Sequence, residues 1–205
     1  MKKTNSILAL SLTVGLSLSL IACGNANKQN QEGSAIPHDH SAMTHEADNS
    51  MSAGSDMAMM ESKTITTLID NYLAIKNALV QDNSKAAANA GQKLADATSG
   101  IDITSFDASK QSEIQEILEV VKEHGAHIAK SELAHQREHF EGMAKDFMDL
   151  LAIAGTDRTL YQQYCPMYNK GKGGSWLSAS EEIKNPLFGS KMLTCGSVKE
   201  TISMK

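Results

Sequence analysis

Two short segments near the end of the chain each offer one thiol and one thioether: Cys165-Pro166-Met167 and Met192-Leu193-Thr194-Cys195. Both are soft donors. Two thiolates and two thioethers brought together make a site for Cu(I), with Ag(I) as the other soft candidate. Pro166 fixes φ in the first segment, and nearby glycines let the two backbones approach. The same two cysteines, once paired, would close a loop of about 30 residues and stabilise a small domain by ~3 to 4 kcal/mol. A Cys165 to Cys195 disulfide and a thiolate metal site exclude one another, so both readings stay open, as does alternation between them.

Four histidines fall around the junction of two helical segments: His124, His127, His135 and His139. Residues three or four apart share a helix face, so each neighbouring pair can ligate jointly. Along one continuous helix all four would lie within roughly 120° of each other, an estimate that a break near Ser131 would undo. His127 and His135 are the candidates to add a ligand to the Cys/Met set. His124 and His139 read as surface or capping residues beside Glu123, Glu132, Glu138 and Glu141. Arg137, between the last two histidines, is expected to pair with an acid.

A third set of donors lies far upstream. Lys2 and Lys3 precede an apolar stretch from Ile7 to Ala22 that is interrupted by Ser, Thr and Gly, too short and too polar for a membrane span. It reads as a secretory signal over residues 1–22. Its end, Leu20-Ile21-Ala22-Cys23-Gly24, resembles the lipobox of bacterial lipoproteins, which implies lipidation of Cys23 and anchorage to the envelope, facing the periplasm. Gly24 stands where Asp would signal retention at the inner membrane, so the outer membrane is slightly favoured.

Residues 23–61 then show no hydrophobic periodicity and are rich in Asn, Gln, Ser, Gly and Asp, the composition of a disordered tether. It carries His38, His40, Met43, His45, Met51, Met57, Met59 and Met60, with no Lys or Arg between Lys28 and Lys63. Mobile thioethers and imidazoles without competing cations suit a second, weaker copper store. Pro37-His38-Asp39-His40-Ser41-Ala42-Met43 resembles the His-Asp-His-Ser-x-Met stretches of periplasmic copper-resistance proteins.

The elements that must position these donors follow from the remaining pattern. The chain has 205 residues, 41% hydrophobic and 4% aromatic, enough for one core of ordinary size plus tails. Its formal charge of -5 lacks the concentrated positive field of a nucleic-acid binder. Ile65, Leu68, Ile69, Tyr72, Ile75 and Leu79 recur at helical spacing up to Asp82-Asn83. An Ala-rich helix follows, with Ala87, Ala90, Leu94 and Ala97 suited to close packing, Ser84 as its cap and Gly100 as its stop. Ile114, Ile117, Leu118 and Val121 mark a third helix. Leu133, Phe140, Met143, Phe147, Leu150 and Leu151 mark a fourth that ends at Gly155, with Met143 and Met148 as packing residues.

The expected fold is therefore mainly α: a four-helix up-and-down bundle over 62–156. From 157 to 205 aromatic and Gly-rich text predicts a small irregular or β segment packed on the bundle, with Trp176 as a local core anchor. No oriented nucleophile and base, oxyanion loop or phosphate-cradling loop is present, so the chain does not read as an enzyme.

Tyr164-Cys165-Pro166-Met167, Gly173-Gly174-Ser175-Trp176-Leu177-Ser178, Ile183-Lys184-Asn185-Pro186-Leu187-Phe188-Gly189 and Met192-Leu193-Thr194-Cys195-Gly196 resemble the signature of an uncharacterised (DUF) domain. That domain occurs in small envelope lipoproteins and at the C-terminus of CusB-type copper/silver efflux membrane-fusion proteins. The resemblance takes in His135-Gln136-Arg137-Glu138-His139-Phe140, covers about 63–202, and departs at Leu187, where the family usually has Tyr. It implies copper or silver handling. The sequence thus predicts a lipid-anchored periplasmic copper-binding protein that buffers the metal or hands it to an efflux complex. The other reading is a metal-free, disulfide-stapled interaction module of such a complex.

Overall fold

The computed structural model describes residues 53–204. Cys23, His38, His40, Met43, His45 and Met51 lie outside them. Four long helices come first: α1 (Ala53–Val80), α2 (Ser84–Thr98), α3 (Gln111–Lys130) and α4 (Leu133–Ala154). Consecutive helices pack side by side as a four-helix bundle, and α1 also meets α4. Among the described residues no helix is long and apolar enough to cross a membrane.

Helix α1 starts at Ala53, upstream of the expected bundle boundary at 62. It therefore includes Met57, Met59 and Met60, which the composition assigned to a disordered tether. Ala, Met and Glu are strong helix formers and extend a helix without an apolar face. At α2 the cap is Asn83, not Ser84: the Asn83 side chain accepts from the Ala86 N–H at 3.0 Å. Gly155 ends α4 with φ of 80°, a conformation that favours glycine.

The α2–α3 contact is closer than ordinary side chains permit. A Cβ built on Gly91 would stand 2.8 Å from the Gly125 carbonyl oxygen, and one on Gly125 would stand 2.8 Å from the Gly91 oxygen. The two backbones meet at these glycines, between Leu94 on α2 and Ile128 on α3, both fully buried. Between α1 and α4 the filling is aromatic: Tyr72 lies 4.9 Å from Phe140 and 4.5 Å from Phe147, ring centre to ring centre.

The C-terminal segment forms a three-stranded antiparallel sheet in the order β2-β1-β3, with β1 (Leu160–Cys165), β2 (Gly174–Ser178) and β3 (Ser197–Ile202). Strand β2 lies against α4. Trp176 is fully buried, as an anchor should be, and donates its indole N–H to Gln163 Oε1 at 2.7 Å. The Tyr72 hydroxyl accepts the Leu177 N–H at 3.1 Å, tying the sheet to α1.

Arg137 is the second tie. It pairs with Asp82, donates from Nε to the Pro186 carbonyl at 2.9 Å and from Nη2 to the Leu79 carbonyl at 3.0 Å. Asp82 in turn accepts from the Ser190 hydroxyl at 2.5 Å. Ser190 first, then Arg137, hold the Asp82 carboxyl below its ordinary value of 3.8. A depressed folded pKa adds stability that is complete above the unfolded value and is lost as pH falls through the folded one. Asp82→Asn is therefore expected to lower the denaturant midpoint at pH 7, with the gap from the parent closing as pH drops below 3.8. Parallel curves across that range would contradict the assignment.

Candidate metal centre

Helix α3 ends at Ser131 and α4 begins after Glu132, two extended residues that turn the chain back on itself. The α3–α4 pair thus folds as a hairpin in which residues roughly equidistant from the corner meet. His124 and His127 from one arm reach His135 and His139 from the other. Gly142 makes room, since a Cβ there would stand 3.1 Å from the His124 ring. The break near Ser131 divides the four rings between two helices, so the angle that one continuous helix would give them does not apply.

His139 is the hub. Its ring stacks on His127 at 4.5 Å and meets His135 edge-on at 4.5 Å and His124 at 5.3 Å. His139 Nε2 lies 3.1 Å from His135 Nε2, and its Nδ1 lies 3.1 Å from His124 Nδ1. One nitrogen from each of His127, His135 and His139 falls within 4.8 Å of the others. Two nitrogens bonded to one tetrahedral ion at about 2.0 Å are roughly 3.3 Å apart, so the spacing fits metal ligation. His127 and His135 leave 51% and 55% of their side chains in solvent, so an ion could reach them directly.

The electrostatics favour neutral rings at His139 and His124. Burial first, and then the neighbouring histidines, hold the pKa of His139 below its ordinary value. Burial does the same for His124 against the pull of Asp146 and Glu123. A ring that stays unprotonated keeps a lone pair for a cation.

The thiols form a separate group. Cys165, buried at the end of β1, and Cys195 have their sulfurs 3.0 Å apart as free thiols. The hydrogen bond to Cys165 first, then burial and the charge of Cys165, push the Cys195 thiol up. That shift opposes the thiolate a Cu(I) ligand requires. Met167 is 57% exposed and Met192 is half-buried in the 3-10 turn Gly189–Met192.

His127 and His135 do not join the thiols. The C-terminal segment contacts α4 through Arg137, which bonds Pro186, and through Glu141, whose Cγ lies against Gly174. His139 sits two residues from each, about 200° away around the helix. The histidines therefore occupy the side of α4 away from the sheet. The sequence suggests His127 or His135 as a further ligand beside the thiols, whereas the structure groups both with His139. His139, which the sequence pairs with His135 but reads as a surface or capping residue, is the third member of the cluster, and Gly142, which the sequence pattern does not single out, lies on the same face as 135 and 139.

No curated protein and no solved structure matches the chain. Residues 68–159 match the family described as Protein of unknown function (DUF3347), a stretch that contains all four histidines of the cluster and ends just before β1.

Proposed function

We propose that this protein binds copper at the cell envelope, anchored by lipid on Cys23 and facing the periplasm, where it buffers the metal or passes it to a copper/silver efflux complex. One observation carries the reading: His127, His135 and His139 converge to within 4.8 Å across the α3–α4 hairpin. Three imidazoles suit copper, zinc or nickel, and among divalent ions of the first transition row copper binds such donors most tightly. The thioethers upstream, from Met43 to Met60, add a preference for Cu(I) or Ag(I) that zinc does not share.

A second reading has its own observation. Two thiols 3.0 Å apart favour an interaction module stapled by a Cys165 to Cys195 disulfide, with no metal needed.

The two separate on copper titration of the intact protein in detergent, once with Cu(I) under reducing conditions and once with Cu(II), each against zinc as competitor. The copper reading expects the triple variant His127→Ala, His135→Ala, His139→Ala to lose about one equivalent of tightly bound copper. Deleting 37–52, which leaves α1 whole, is expected to remove weaker equivalents and leave the helical circular dichroism unchanged. Equal copper uptake by the parent and the triple variant would eliminate the histidine site.

A further inference from the structure

The protons of the histidine cluster are set by groups outside the ligand triad. Glu138 Oε2 lies 2.7 Å from His135 Nδ1. An ionised carboxylate only accepts, so that nitrogen carries the hydrogen, and a neutral His135 ring presents a bare lone pair at Nε2. That bare Nε2 faces His139 Nε2 at 3.1 Å, where one partner must donate. His139 therefore donates from Nε2, which leaves its Nδ1 bare to accept from His124 Nδ1, also at 3.1 Å. With all three rings neutral, one arrangement satisfies the row His124, His139, His135, Glu138, and its direction is set by the carboxylate at the end.

We infer that Glu138 and His124 are the positioning residues of the site: Glu138 aims an unprotonated Nε2 of His135 into the cluster, and His124 lets His139 free its own Nε2. The inference rests on the metal-binding reading of the triad. For His139 to ligate through Nε2 its hydrogen has to reside on Nδ1, which then donates to His124 Nδ1, while the His124 hydrogen resides on Nε2. Both rings stay neutral, the count of ring protons is unchanged, and each close nitrogen pair keeps a hydrogen bond or a ligand. A partner that only donates, such as Lys, could not accept that hydrogen. Glu123 does not do for His127 what Glu138 does for His135, since it stands 3.8 Å from His127 Nε2, beyond hydrogen-bond range.

Neither group is a core residue whose loss would unfold the bundle. The Glu138 side chain is 66% exposed and His124 is half-buried against Gly142. Outer partners of ligating histidines change metal affinity by about 10–100-fold.

The test is competitive Cu(II) binding to the intact protein in detergent, read against a chelator and by electron paramagnetic resonance, with the triple histidine variant as the reference for copper held elsewhere. Glu138→Ala is expected to weaken the histidine site by about 10–100-fold, and Glu138→Gln, whose amide oxygen still accepts from His135 Nδ1, to recover most of that. His124→Ala is expected to weaken it by about 10-fold, and all three variants to keep the parent melting temperature. Parent-like affinity in both alanine variants would overturn the inference while leaving the copper site standing. So would a Glu138→Gln variant as weak as Glu138→Ala, because charge and not orientation would then be at work. A parent that takes up no more copper than the triple variant would remove the metal-binding reading, and this inference with it.

Discussion

Replacing His139 with alanine is expected to abolish tight copper binding, with a larger loss than for either His127→Ala or His135→Ala. His139 is the one ring that contacts all three other histidines, at 4.5, 4.5 and 5.3 Å between ring centres. Removing it takes away a ligand, breaks the row that links His124 to Glu138, and opens a gap between two rings held by different helices. The affinity should fall beyond the 10–100-fold typical of an outer partner, to about 1000-fold or more. Stability should barely change, because His139 is only half-buried and lies outside the apolar core. Chelator competition read beside a melting curve checks both halves of this expectation. A His139→Ala variant that binds like the parent would place any copper elsewhere on the chain.

The second large effect is expected at Gly125. A valine there must fit a Cβ 2.8 Å from the Gly91 carbonyl and 3.1 Å from the Ala95 nitrogen, both backbone atoms that cannot swing aside. Helices α2 and α3 would have to separate, uncovering Leu94 and Ile128. Overpacking of this kind costs about 3 kcal/mol, well above the ~1 kcal/mol that a glycine in a helix interior forgoes. Gly125 adjoins His124, so displacement of α3 should also weaken copper binding. Gly100→Ala is the control, since its added carbon meets only the Ala97 oxygen at 3.5 Å and should shift stability by less than about 0.5 kcal/mol. Denaturant melts of the two variants decide it: an unchanged midpoint for Gly125→Val would mean that the close crossing is dispensable.

Helical periodicity in the sequence revealed all four helices, because an apolar residue every three or four positions leaves little choice of buried face. The bundle, the Gly155 stop and the Trp176 anchor follow from such local signals. The partners of the histidines do not. Spacing says which rings share a face of one helix, whereas His124 meets His139 only because the chain reverses at Ser131 and Glu132, whose extended geometry no residue type there demands. The thiols illustrate the same limit differently. Their symmetrical motifs mark them as a pair, but Cys165 ends a strand and Cys195 follows a 3-10 turn, so the 3.0 Å between them is a product of the whole C-terminal fold. Gly91 and Gly125 were equally hidden, since a glycine in helical text reads as a local weakness until the neighbouring backbone is seen.

The tie between Tyr72 and Leu177 has a consequence for where this protein can be cut. The DUF3347 match ends at residue 159, yet the Tyr72 hydroxyl bonds a residue 105 positions further along, and Asp82 bonds one 108 positions further along. A fragment ending at 159 would strand the Tyr72 hydroxyl, take the Pro186 carbonyl from Arg137 Nε and Ser190 from Asp82, and expose the apolar side of α1 and α4 that β2 shields. The boundary drawn by sequence similarity and the boundary of the self-supporting body are thus different places on the chain. The smallest fragment that keeps its own inventory of partners runs from α1 through β3.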